Sequence, residues 1–192
     1  MESKQDQTMI EVAKTGGQTR WLAITALFLA IGVILRLFSP SIAGITPNWM
    51  IPMYCLAILI VKPNFKQALG IGLVAGAVCV ATSKSVFPYA NLVSEPLGAL
   101  VCAGIAGIAG ISLRIAVLRF FAPGLVAFIG TLASGLTFIT ITSTVAKIPF
   151  LAMLPVVLIV AGISSATVQI LYYPVVRLFD GQDVTAAKEE SK

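Results

Sequence analysis

Hydrophobic residues gather along this chain in six long runs, each closed by a polar, Pro-containing or Gly-containing break. The runs cover residues 21–38, 48–61, 66–82, 92–117, 125–145 and 148–176. A hydrocarbon core about 30 Å thick takes roughly 20 apolar residues per helical crossing. The pattern therefore predicts an all-α integral membrane protein with six transmembrane helices. Trp21 opens the first run as an interfacial anchor, and Ser39-Pro40 ends it. The second run is short and carries Pro52 behind Pro47. Freed backbone groups are costly in lipid, so this run must border protein or a cavity. Lys62-Pro63-Asn64 reads as a tight turn, 83–91 as a polar and aromatic loop, and 119–124 as the turn between the fourth and fifth runs. The sixth run exceeds a perpendicular crossing and predicts tilt or a kink near Pro155 or Pro174. Residues 1–20 read as a flexible N-terminal tail, 21–178 as one six-helix domain, and 179–192 as a charged C-terminal tail.

The basic residues fix an orientation. With both termini in the cytoplasm, Lys4, Lys14, Arg20, Lys62, Lys66, Arg114, Arg119, Arg177, Lys188 and Lys192 lie inside, and Arg36, Lys84 and Lys147 lie outside. Ten against three is the asymmetry expected of a multi-pass protein of the cell membrane, and an odd number of spans would spoil it. The same scatter removes a nucleic-acid reading of the net charge of +5, since the cations stand singly between apolar runs.

Composition narrows the function. Of 192 residues, 58% are hydrophobic and 11% charged, with a mean hydropathy of +0.97. Soluble domains carry about a quarter charged residues, so a water-soluble globule is excluded, and no room remains for an ATPase domain. The polar first twenty residues precede a run longer than a signal-peptide core, without a small-residue cleavage site. Cys55, Cys79 and Cys102 sit in separate apolar runs and there is no histidine, which argues against a disulfide or any metal site. Small residues recur four apart at Ala26/Ala30, Gly72/Gly76, Ala103/Gly107, Ala106/Gly110, Gly130/Ser134 and Gly162/Ala166, a spacing that lets membrane helices approach closely.

Outside the tails the one acidic residue is Glu95. A lone carboxylate without histidine offers no acid–base pair or nucleophile device, so the chain does not read as an enzyme, and no cofactor is implied. No G-x-x-x-x-G-K-[ST] loop is present for ATP. The fifth run is rich in Thr and Ser (Thr137, Thr140, Thr142, Ser143, Thr144); these hydroxyls either line a pore or bond their own helix carbonyls. The remaining chemistry collects at the outer ends of the spans: Arg36, Lys84, Glu95 and Lys147 with Asn48, Trp49, Tyr54, Ser83, Phe87, Tyr89, Asn91 and Ser94. Opposite charges, amides and aromatics suit a small zwitterionic or polar-ended aromatic molecule. Such a site would lie between the loop after the first helix and the starts of the second, fourth and sixth. Glu95 would meet an ammonium, and Arg36 a carboxylate, with Lys84 or Lys147 as substitutes. Trp49, Tyr54 and Tyr89 would sandwich a flat ring, with Asn91 beside them. Alternatively, Glu95 pairs with Lys84 or Lys147 and merely holds the outer loops.

Six short helices with both termini inside, the TALFLAIG segment with Ala26 and Ala30, PNWMIPMYCLAILIVKPNFKQALGIGLVAGAV and PYANLVSEPLGALV together resemble the S components of energy-coupling-factor (ECF) transporters. The similarity runs over about residues 20–178 and is greatest with the tryptophan-specific group. That group opens its fourth helix with Pro-Asn-x-x-Asp-Lys-Pro, whereas this chain reads Pro88-Tyr89-Ala90-Asn91-Leu92-Val93-Ser94-Glu95-Pro96, its acid shifted by one position. The resemblance implies a substrate-capture subunit without enzymatic activity, carrying tryptophan or a related aromatic micronutrient. It also implies a transmembrane T subunit facing Ala26 and Ala30, and two ATPase subunits as the source of energy. The reading of a different class is a stand-alone secondary carrier or facilitator.

Overall fold

The computed structural model describes residues 2–39, 47–112 and 116–189, with side chains over 19–39, 47–108 and 118–179. Arg114, Lys192 and most of the loop expected after the first helix lie outside the described residues. The described chain is all-helical: α1 Glu2–Phe38, α2 Met50–Val61, α3 Phe65–Thr82, α4 Asn91–Ser112, α5 Ala116–Ala146 and α6 Phe150–Glu189, with a 3-10 turn Pro88–Ala90 leading into α4. Five stretches are long and apolar enough to cross a membrane: Thr19–Phe38, Phe65–Thr82, Pro88–Ile108, Leu118–Ala146 and Phe150–Phe179. The molecule is a multi-pass membrane bundle.

The sixth helix, α2, has 12 residues, about 18 Å at 1.5 Å per residue, short of a full crossing. It is instead the axis of the bundle. Met50 through Ile58 are all buried, and α2 packs against α1, α3, α4, α5 and α6. Pro52 does no harm there, because it occupies the first turn, where an N–H has no helical acceptor. Lys62 closes α2 in the left-handed conformation with its N–H on Ile58 O at 2.9 Å. Asn64 then opens α3 with a capping box, Asn64 and Gln67 each accepting the other's backbone N–H. The turn read at 62–64 is thus a paired helix stop and start.

The α3–α4 contact sets the position of Glu95. A side chain on Gly76 would lie 2.7 Å from Asn91 O and 3.3 Å from Leu92 Cα, and one on Gly72 would run into Pro96 Cα. These glycines admit the α4 backbone itself, from Asn91 to Pro96, against α3. Gly130/Ser134 likewise packs inward, against Cys102 and Gly98. Gly162/Ala166 and Ala26/Ala30, in contrast, are exposed on the outside of the bundle.

Two expectations are corrected. Residues 119–124 do not form a turn; α5 begins at Ala116 and carries Pro123 inside the helix. Gln169 of α6 makes this possible. Its Nε2 donates to Phe120 O at 2.9 Å, and its Oε1 accepts from Gly124 N at 3.0 Å. The Tyr173 hydroxyl also donates to Phe120 O, and Ser165 Oγ to Gly124 O, at 2.7 and 2.9 Å. A neighbouring helix thus satisfies the groups that Pro123-Gly124 would loosen. The expected flexible tail is helical too, since α1 starts at Glu2. Its Glu, Lys, Gln, Met and Ala residues favour helix, with Gly16-Gly17 the one weak point.

The hydroxyls of the fifth run mostly serve their own helix. Thr131, Thr137, Thr140 and Thr144 donate to carbonyls four residues back at 2.7–2.8 Å, which is back-bonding rather than a pore lining. The fold also brings Cys55 and Cys102, far apart in sequence, to a Sγ–Sγ separation of 2.7 Å as free thiols.

Candidate functional site

At the end of the bundle where α1, α3 and α5 finish and α2, α4 and α6 begin, the helices enclose a cavity of about 410 Å³. One wall is polar, with Arg36 of α1, Asn48 before α2, Lys84 and Ser85 after α3, and Asn91, Ser94 and Glu95 of α4. The facing wall is apolar, with Phe138 and Ile139 of α5 and Met153, Val156 and Val157 of α6. This volume falls in the range of small-molecule sites, which pair an apolar lining with a few placed polar groups.

The polar wall is organised around Asn48. Arg36 Nη1 donates to Asn48 Oδ1, and Asn48 Nδ2 donates to Glu95 Oε1 at 2.6 Å. Ser134 Oγ of α5 donates to the other carboxylate oxygen, Oε2, at 3.3 Å. The amide therefore stands between cation and anion, and the relay Arg36–Asn48–Glu95–Ser134 ties α1, the start of α2, α4 and α5 together. Glu95 is 1% exposed, and the Tyr54 hydroxyl approaches it from within the core. That approach needs Gly98, where a side chain would lie 2.6 Å from the Tyr54 hydroxyl and 2.8 Å from Ser134 Cβ. An ionised carboxylate has about four acceptor positions. Asn48 and Ser134 take two and the Tyr54 hydroxyl approaches a third, so Glu95 can still accept from an ammonium. Arg36 has donors to spare, its Nε buried without a partner.

Of the residues the sequence singles out, Arg36, Lys84, Asn91 and Glu95 line the cavity. Asn91 turns its amide to Pro88 O at 2.7 Å and so builds the entry to α4. Trp49, Tyr54, Tyr89 and Lys147 are absent from the lining. Tyr54 is a core residue at 0% exposure, whereas Tyr89 is 63% exposed and meets Phe87 edge to face. The flat-ring sandwich of Trp49, Tyr54 and Tyr89 is therefore not assembled; Phe138, Met153 and the valines of α6 form the apolar wall instead. Nor does Glu95 pair with Lys84 or Lys147, since among the described residues its side-chain bonds go to Asn48 and Ser134, and both lysines are exposed. Ala26 and Ala30 share an exposed face of α1, clear of the cavity.

The sequence places Asn48 in the outer polar set without making it the link between Arg36 and Glu95, places Ser134 only in a packing pair with Gly130, and gives no sign of Phe138 or Gln169. A signal existed for Ser134, which shares the small-residue spacing with Gly130. None existed for Phe138, one of many apolar residues in α5.

Comparison with characterised proteins and with solved structures gives no match. A family model does match, over residues 18–179, and its description is the tryptophan transporter TrpP. The matched segment holds all five membrane-crossing stretches, the buried axial helix and every residue of the cavity wall. With a membrane bundle, an intramembrane carboxylate and an amphiphilic cavity already in place, the match over most of the chain assigns it to the TrpP tryptophan transporter family.

Proposed function

We propose that the chain is the substrate-capture subunit of an ATP-driven ECF-type importer of tryptophan, with both termini in the cytoplasm and the cavity facing outward. The observation that carries this reading is Glu95, an ionisable side chain 1% exposed in an apolar bundle yet bordering a cavity. Such residues inside membrane segments are retained for function. Tryptophan supplies what the cavity lacks: its ammonium meets the open positions of Glu95, its carboxylate the free edge of Arg36, and its indole the wall of Phe138, Met153, Val156 and Val157. As the zwitterion binds, Asn48 yields part of its place between the two charges. Closing this polar wall couples α1, α2, α4 and α5, the helices that the relay already ties.

Energy has to come from outside the chain. Accumulating a solute a thousandfold costs about 4 kcal/mol, and the sequence carries no phosphate-binding loop. Ala26 and Ala30, exposed and one turn apart on α1, suit close approach of a helix of a T subunit, through which two ATPase subunits would act. The test is tryptophan uptake in cells or liposomes, with and without a T subunit and its ATPases. Uptake that requires those subunits and ATP supports the proposal. Concentrative uptake by this chain alone contradicts it and selects the stand-alone carrier.

A further inference from the structure

Three residues of the cavity wall each carry a buried polar atom with no hydrogen-bond partner: Arg36 Nε, Ser85 Oγ and Ser94 Oγ. Buried polar groups are nearly always paired, so such a cluster asks what pairs it. Elsewhere in the bundle a helical hydroxyl bonds the carbonyl one turn back, as at Thr82, Thr131, Thr137, Thr140, Thr144 and Thr167. Ser94 lies in α4, is 0% exposed and does not. Polar atoms of Thr25, Trp49, Tyr54, Thr142 and Ser143 are also without a hydrogen-bond partner, but these residues do not line the cavity. The orphaned groups on the wall share one chemistry: each can donate, and a guanidinium Nε–H with two hydroxyls matches an anion with several lone pairs. An ammonium could not use Arg36 at all.

We infer that Ser94, with Ser85 and the Nε edge of Arg36, forms a carboxylate cradle that makes the site select α-amino acids over the corresponding amines. This inference rests on the reading of the cavity as an amino-acid site and deepens it. Ser94 and Glu95 both line the cavity from α4, so one helix supplies a donor for the carboxylate and an acceptor for the ammonium. The backbone there is held against α3 through Gly72 and Gly76. A bound ligand lacking the carboxylate would cover all three donors without pairing them, and rejection on that ground is steep.

The test is calorimetric titration of the purified full-length protein and its Ser94→Ala and Ser85→Ala variants with L-tryptophan and with tryptamine. The parent should bind tryptophan far more tightly than tryptamine. Ser94→Ala should weaken tryptophan about ten- to a hundredfold, the loss expected for a hydrogen bond to a charged group. It should leave tryptamine within about twofold, since the lost contact is one tryptamine never makes. Ser85→Ala should show the same selectivity of loss. An equal loss for both ligands, or none for either, overturns the cradle, and thermal melting of each variant reports whether it folds. Should the parent prefer a different amino acid, the same comparison with that amino acid and its amine decides the cradle, while the tryptophan assignment fails. Should tryptophan bind without this differential loss, the cradle fails and the tryptophan assignment stands.

Discussion

Replacing Gly76 by Ala tests whether close contact between α3 and α4 positions the site. The added Cβ would lie 2.7 Å from Asn91 O and 3.3 Å from Asn91 C and Leu92 Cα, all backbone atoms that no rotamer change can move. Ordinary contact begins near 3.4 Å, so α4 must retreat by about 0.7 Å, beyond the roughly 0.5 Å within which a binding constellation has to be held. Overpacking of this kind costs about 1–3 kcal/mol. Gly70→Ala is the matched control, because it lies in the same helix with nothing within 4 Å of its added Cβ. Both variants gain the same intrinsic preference of Ala over Gly in a helix, about 1 kcal/mol. Their difference therefore isolates the clash. Thermal melting in detergent should place Gly76→Ala below Gly70→Ala by roughly 2–12 °C, and tryptophan affinity should fall in Gly76→Ala alone. If the two melt together and bind tryptophan equally, α4 is not seated on α3 as described.

Gln169→Leu leaves Gly124 N–H without its side-chain acceptor and should lower stability by about 1–2 kcal/mol, near the upper range for a hydrogen bond between membrane helices; unchanged melting would mean α5 carries Pro123 without help. Ala26→Trp or Ala30→Trp should abolish uptake yet leave tryptophan binding by the isolated protein intact, because that face of α1 is exposed; parallel loss of binding would make the face part of the binding bundle itself. Cysteines placed at Lys14 and Lys188 should resist an impermeant thiol reagent in intact cells while one at Lys84 reacts; labelling at Lys188 from outside would contradict the orientation read from the charges.

Element count was legible because bilayer thickness imposes one period on the sequence, roughly 20 apolar residues and a break. That α2 borders protein or a cavity was legible as well, since a short run with Pro47 and Pro52 fits lipid poorly; its place on the bundle axis was not. Helix rotation was not legible. Membrane helices are apolar on both their lipid and protein faces, so the 3.6-residue pattern that orients a soluble helix is weak. For that reason Phe138 gave no sign of facing the cavity, and Tyr54, read as a ring-stacking residue, proved to be core. Glu95 and Arg36 stood out as charges in apolar runs and Asn48 as one polar neighbour of several, but nothing in the sequence marked it as the amide that joins them. The start of α5 was misplaced because Pro123-Gly124 carries a local turn signal that a residue some 45 positions away, Gln169, overrides.

On the proposed reading, Glu95 holds the ammonium of tryptophan in this cavity. Isothermal titration of tryptophan into the purified parent and into Glu95→Gln tests it most directly. Gln keeps the size of the side chain and an oxygen to accept from Asn48, but it removes the charge. Affinity should fall by about 2–5 kcal/mol, at least roughly thirtyfold, while the variant remains folded. A folded Glu95→Gln protein that binds tryptophan as tightly as the parent would contradict it.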